Sequence, residues 1–229
     1  MPSERVETGV PGFDKLIEGG FIKGSTNLIA GNSGTGKTIF CMHYLWSGLQ
    51  RGENGVYVTL EQRPDEILAD VARFGWDFSK YEDAGRFRME SLVASDITTI
   101  TTKIVESVKR IKAVRFALDS MTIASMGWKE RPEESFKIRS KAFDMLNTLK
   151  SLGVTSMIIS EVERAERPTI SKFGFEEFVA DSVVLLNYMM VGGASRNLQI
   201  LKMRRTDHGK KIYPFDITDK GIVVKSLSV

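Results

Sequence analysis

Gly31-Asn32-Ser33-Gly34-Thr35-Gly36-Lys37-Thr38 follows the pattern G-x-x-x-x-G-K-[ST], the phosphate loop called Walker A. Its glycines let the backbone turn sharply and bring N–H groups against phosphate oxygens. A helix that starts inside the loop adds the positive end of its dipole. Lys37 can then reach the β- and γ-phosphates as a mobile charge, and Thr38 offers a hydroxyl to Mg²⁺. The flanks fit this reading. Residues 25–30 are β-prone and run into Gly31, and Ile39, Met42, Trp46 and Leu49 then recur at helical spacing. Strand, glycine turn and helix is the setting the motif requires; an ordinary Gly-rich connection is the plainer alternative.

The rest of the chain continues that grammar. Residues 9–24 read as glycine turns around a short helix at 13–17. Strands are expected at 56–60, 86–90, 114–118 and 154–159. Helices are expected between them. One opens at Pro64 with Ile67, Val71 and Phe74 on one face; one is capped by Ser95 or Asp96; and a long one runs from Pro132 to Gly153 with Phe136, Phe143, Leu146 and Leu149 inward. Such alternation predicts an α/β fold with a mostly parallel twisted sheet covered by helices. After Asp181 four strands, 183–189, 198–204, 211–217 and 222–224, are separated by short turns, which predicts a C-terminal antiparallel β extension. At 229 residues the chain reads as one large domain or one with small appendages.

Composition bounds the rest. Apolar residues make up 42%, enough for a substantial core, and the one cysteine, Cys41, excludes an intrachain disulfide. Neither a signal segment nor a membrane-length apolar run is present, so a cytoplasmic protein without a membrane partner is expected. The formal net charge is +3, but residues 196–229 hold eight Lys/Arg against three Asp, leaving the remainder at −2. The basic excess is local.

Further groups complete a candidate site. The strand at 114–118 ends in Asp119, the Walker B pattern, and such an Asp can hold a Mg²⁺ shell. Glu61 follows the strand at 56–60, at the sheet edge where catalysts gather, and can serve as general base to a water; an acid favoured by the helix dipole ahead of Pro64 is the alternative. Glu161 also lies at that edge, as a γ-phosphate sensor or a solvated acid. Lys202, Arg204, Thr206 and His208 alternate; if extended, all four project to one side and Leu201 and Met203 to the other. That set suits a polyphosphate or a finger acting on a neighbour's site, while a basic edge strand that discourages aggregation is the plainer reading.

The whole chain resembles the KaiC-like branch of the RecA superfamily, including archaeal RadA paralogs. The resemblance rests on TGVPGFDKLIEGG at 8–20, the phosphate loop, VTLE at 58–61, FGWD at 74–77, LDS at 118–120, FGFEEFVAD at 173–181, LKMRRTDH at 201–208 and YPFDITD at 213–219. It implies a RecA-like ATPase core that assembles into rings, commonly hexamers, with ATP and Mg²⁺ between subunits. In that reading Glu61 and Lys37 are catalytic, and Thr38 and Asp119 serve the metal. Residues 32–39, from Asn32, Ser33, Gly34, Thr35 and Gly36 to Ile39, hold the phosphates. Arg73 and Phe74 match positions near the adenine. Lys202, Met203, Arg204, Thr206, His208, Thr218 and Asp219 match positions on the nucleotide of the adjacent subunit. Family members often carry two adjacent glutamates where this chain has Glu61-Gln62, which points to slow turnover. The clock protein has two tandem copies, this chain has room for one, and residues 173–181 contain no Ser or Thr to accept a phosphate.

Three functions compete. One is an ATPase whose nucleotide state controls ring assembly or a protein partner. Another is a recombination accessory on single-stranded DNA. The third is a scaffold that binds ATP and barely turns over. DNA would meet the loops after Asp119 and Glu161. Residues 121–135 hold two basic and three acidic side chains and residues 161–172 three of each, whereas a phosphate-tracking channel is strongly positive. Trp128 and Phe173 are the residues there able to stack on bases.

Overall fold

Strands buried on both faces need apolar side chains at successive positions, and the central strands here have them. In the computed structural model, which describes residues 3–93, 96–126, 135–162, 179–189 and 195–226, they form one nine-stranded sheet. Ser95, Trp128, Pro132 and Phe173, with most of the two candidate DNA loops and residues 192–194, lie outside the described residues.

A two-stranded ribbon, β1 (Arg5–Val6) and β2 (Phe21–Ile22), encloses a 3₁₀ turn at Asp14–Ile17. Then come β3 (Thr26–Gly31), α1 (Lys37–Gln50), β4 (Gly55–Thr59), α2 (Pro64–Ala72), α3 (Ser79–Asp83), β5 (Phe87–Ser91) and α4 (Ile97–Ile111). They are followed by β6 (Arg115–Asp119), α5 (Met121–Met126), α6 (Ser135–Ser151), β7 (Thr155–Glu161) and β8 (Ser182–Met189). The chain closes with β9 (Ser195–Met203), β10 (Ile212–Thr218) and β11 (Gly221–Val224). The strand order is β11-β10-β9-β8-β3-β7-β6-β4-β5.

Period-two alternation assigns each strand residue to one of two core layers. Ile29, Tyr57, Ala117, Met157 and Ile159 pack with α1. Leu28, Val56, Val58, Phe116, Leu118 and Ile158 pack with α4 and α6. Helix α1 is buried on nearly every side, because the 3₁₀ turn, β11 and the aromatic group of Phe74, Trp76 and Phe78 cover what the sheet leaves open. Asp96, rather than Ser95, caps α4: its Oδ1 accepts N–H bonds from Thr98 (3.0 Å) and Thr99 (3.1 Å). Among the described residues no helix is long and apolar enough to cross a membrane.

Three expectations are corrected. First, β8 belongs to the parallel core: it runs parallel to β3, and the antiparallel extension starts one strand later, at β9. The short turns expected between the last four strands point to pairing between chain neighbours, but a strand can be parallel to one neighbour and antiparallel to the next. Second, Phe143 is 47% exposed; Ala142, Met145, Leu146 and Leu149, at i, i+3, i+4 and i+7, form the inward face of α6. Third, the alternation of residues 201–208 is broken twice. Between Val184↔Ile200 and Val183↔Lys202 the register skips Leu201, a β-bulge. Leu201 therefore packs with the α4–α6 layer and Met203 with the α1 layer, on opposite faces. Beyond Met203, Arg205 takes a left-handed φ of 55°, so Arg204, Thr206 and His208 leave the strand in a loop instead of projecting from it together.

Candidate nucleotide site

Strand β3 delivers the phosphate loop to the carboxyl edge of the sheet. β4 lies three strands away on one side of it and β8 directly on the other, the kind of reversal at which open α/β sheets bind ligands. Two glycines are required there. A Cβ on Gly31 would stand 2.4 Å from the Leu186 carbonyl oxygen and 2.8 Å from Thr35 Oγ1. Gly36, the N-cap of α1, holds φ at +100°.

Within the loop, the Asn32 carbonyl accepts from Thr35 Oγ1 at 2.8 Å and from Lys37 Nζ at 3.0 Å. Lys37 is only 8% exposed, and its ammonium lies 3.7 Å from Glu161 Oε1 at the end of β7. Strand β6 ends in Asp119, which is buried; its Oδ2 accepts from Thr38 Oγ1 at 2.7 Å and from Tyr57 OH at 2.6 Å. Just past β4, Thr59 Oγ1 accepts N–H bonds from Glu61 (3.3 Å) and Gln62 (3.1 Å) and donates to the Gln62 carbonyl (2.8 Å). That turn fixes the base of Glu61. Partial burial raises the Glu61 pKa, the charges of Asp119 and Glu161 raise it further, and Lys37 opposes them.

Lys37, Thr38, Glu61, Asp119 and Glu161 line one cavity of about 290 Å³. The phosphate-loop residues Ser33, Gly34 and Gly36 line it beside them. Ile39, Ile67, Val71 and Ile217 give it apolar lining, and Asp70, Arg73 and Arg196 add charged groups. The volume is at the low end of the roughly 300–1,000 Å³ of sites that enclose a small molecule. The oxygen donors Thr38 and Asp119 suit a hard cation such as Mg²⁺, which takes one or two carboxylates and completes its shell with water and phosphate. Among the described residues no group of three or more His, Cys, Asp or Glu gathers to hold a metal by itself.

The remaining candidates divide. Arg73 reaches the cavity, whereas Phe74 is buried in the core with the Arg73 guanidinium 4.7 Å from its ring centroid. Lys202 donates to the Ala180 carbonyl (2.7 Å), Arg204 lies 3.4 Å from Asp181, Met203 packs in the core, and His208 Nδ1 is 3.0 Å from the Gly209 carbonyl. All sit at the amino edge of the parallel strands, where Asp181 binds the start of β3. Arg196, at the other end of β9, approaches the Gly34 carbonyl at 3.5 Å. The seven steps from Arg196 to Met203 span roughly 23 Å of strand. Thr218 and Asp219 do not join the 202–208 group: β10 runs antiparallel to β9 and brings them to the phosphate-loop edge, next to Ile217. Sequence reasoning missed Tyr57, Asp70, Arg196 and Ile217. Nothing in their local pattern marks them, since each reaches the site through strand or helix register.

A phosphate loop closing on a strand-end aspartate, set in a parallel sheet with an antiparallel flank, defines a RecA-like P-loop domain. The sequence profile described as "ATPase: KaiC" matches residues 6–229. A circadian clock protein, KaiC3 of Synechocystis, is 39% identical over 98% of this chain and 46% of its own length. A UPF0273 protein of Pyrococcus furiosus is 36% identical over 96% of this chain and 93% of its own. A crystal structure of a KaiC-like protein from Pyrococcus horikoshii superposes with a TM-score of 0.88 at 37% identity, covering 98% of this chain and all of that one. The chain belongs to the KaiC family of ATPases. It spans about half the length of the clock proteins it matches and nearly all of the UPF0273 protein.

Proposed function

We propose that the chain binds and slowly hydrolyses ATP with Mg²⁺ in a homo-oligomeric ring, commonly a hexamer, whose nucleotide state controls assembly or a protein partner. The observation that carries this reading is the separation of two functional edges. The phosphate loop, Glu61 and Asp119 share a small cavity at one edge of the sheet, while Lys202, Arg204, Thr206 and His208 lie at the other. The second group cannot reach its own chain's phosphates. It can reach a neighbour's if copies associate head to tail, an arrangement that closes into a ring when the rotation permits.

Backbone N–H groups of residues 33–38 and the Lys37 ammonium hold the phosphates, and the apolar side chains of Ile39, Ile67, Val71 and Ile217 take the base. Thr38 and Asp119 would hold Mg²⁺, which when bound would supply positive charge to the phosphate oxygens. Glu61 orients a water and takes its proton, a task that its raised pKa suits. Arg204 of the adjacent copy meets charge developing on the transferred phosphoryl group. Gln62 beside Glu61 cannot take a proton, which leaves one base there and favours low turnover.

Steady-state hydrolysis and particle mass, each with and without Mg-ATP, test the reading. Glu61→Gln is expected to bind ATP, assemble and fail to hydrolyse it. A monomer that turns ATP over at full rate sinks the proposal. Stimulation by single-stranded DNA would transfer support to the recombination-accessory alternative.

A further inference from the structure

The loop that carries Arg204, Thr206 and His208 is tied to the sheet at its start, where the Arg204 N–H donates to the Asp181 carbonyl at 2.9 Å and the Arg204 guanidinium lies 3.4 Å from the Asp181 carboxylate. Beyond Arg204 its grip comes from the opposite end of the chain. Arg5 Nη1 donates to Thr206 Oγ1 at 2.8 Å, and to the carbonyls of Gly20 and Ile17 at 3.1 and 3.3 Å. Its Nη2 pairs with Glu18 and donates to the Arg205 carbonyl at 3.4 Å. Glu18 in turn accepts from the Asp207 N–H at 3.4 Å, and the Gly209 N–H donates to the Leu16 carbonyl at 2.8 Å. A planar guanidinium suits this junction, because one rigid fork serves several acceptors at once. The Arg5 side chain is 18% exposed, so these bonds are partly shielded from water.

We infer that Arg5 is a positioning residue for catalysis at the neighbouring subunit's site: it clamps the 204–208 loop onto the N-terminal ribbon and aims Arg204 across the interface. The inference rests on the proposed shared site. It adds a role for a segment that lies at the edge opposite its own phosphate loop. Arg5 does not line its own chain's nucleotide cavity. Its loss leaves the chain's own cavity intact and loosens the group donated to the next copy. Misplacement of about 1 Å in a positioning element can cost about 100-fold in rate.

The test uses the full chain. Arg5→Ala is expected to bind ATP within about twofold of wild type while kcat falls about 10- to 100-fold. Glu18→Gln, a milder change at a half-exposed acid, is expected to lower kcat less and to keep the fold if Arg5→Ala does not. Arg5→Lys, with one compact ammonium in place of the fork, is expected to fall between wild type and Arg5→Ala. Mixing then assigns the site on which Arg5 acts. Arg5→Ala chains mixed with Glu61→Gln chains should regain hydrolysis, because a site with Glu61 from the first and a clamped loop from the second is complete. Arg204→Ala mixed with Glu61→Gln is the parallel arm. Rescue in the Arg204 arm without rescue in the Arg5 arm overturns the role of Arg5 and leaves the shared site standing. Failure of both arms overturns the shared site and this inference with it. Wild-type kcat in Arg5→Ala alone overturns the inference directly.

Discussion

Thr38 and Tyr57 donate to the same carboxylate oxygen, Asp119 Oδ2, at 2.7 and 2.6 Å. One hydroxyl comes from the phosphate loop and the other from the neighbouring strand β4. The aspartate is thus fixed before any cation arrives, with Tyr57 as its permanent partner, since Thr38 is the group a metal would draw away. Burial and the Asp119 charge both push the Tyr57 pKa up, so the phenol stays a donor.

Tyr57→Phe removes one of those donors and leaves a buried carboxylate under-satisfied. A loss of about 1.5–3 kcal/mol in urea unfolding is expected, the range for hydrogen bonds to charged groups. The Mg²⁺ concentration for half-maximal hydrolysis should rise, because the oxygen is less firmly held. An unchanged metal titration would detach Tyr57 from the metal site.

Hydrolysis should fail on the acid side at a pH above the ordinary glutamate value of 4.5, since Glu61 must be deprotonated to accept a proton and its pKa is raised. Replacing Glu161 with Gln removes one of the charges that raise it. The acid limb of kcat should then move to lower pH. A limb that stays put would mean that another group controls it.

His43 gives a pH dependence of stability. It lies on α1 against Trp76, with ring centroids 4.7 Å apart, and its Nδ1 lacks a hydrogen-bond partner among the described residues. Burial lowers its pKa from 6.5 to about 4. Between those values the unfolded chain binds the proton and the folded chain does not. The contribution is therefore complete above pH 6.5 and is lost as pH falls toward 4, for a total of about 3 kcal/mol. Denaturant midpoints compared at pH 7 and pH 4.5 should show the fall, and His43→Leu should flatten it.

Arg115 is 1% exposed, ion-paired with Glu53, and donates to the carbonyls of Tyr44 (2.7 Å) and Glu7 (2.8 Å). Arg115→Ala should cost about 3–5 kcal/mol, the scale for removing one member of a buried ionic group. Gly48→Ala should also destabilise, by about 1–3 kcal/mol, because a Cβ there would meet the Arg115 side chain at 2.4 Å. Thermal unfolding of both variants checks this; a neutral Gly48→Ala would show that Arg115 has room to move.

The parallel core and the phosphate site were legible because local chemistry dictates them. A glycine turn between strand and helix, an aspartate closing an apolar strand and a glutamate just past another need only one segment each to be recognised. Residues 201–208 were misread for the opposite reason. Their alternation is a local signal, but the bulge at Leu201 arises in pairing with β8, and the loop around the left-handed Arg205 bonds to Arg5, about two hundred positions away. The parallel pairing of β8 with β3 is hidden in the same way, since adjacent strands in sequence say nothing about the far neighbour. Asp70 and Arg196 reach the cavity only through the placement of whole elements.

The extra residue in β9 also bears on how the chain tolerates shortening. Excising Leu201 would leave Ile200 and Lys202 facing Val184 and Val183 as before, so both flanking registers survive. What changes is the bend, since a bulge tilts and twists the strand that carries it. A protein trimmed by this one position would keep its sheet and redirect everything beyond Met203.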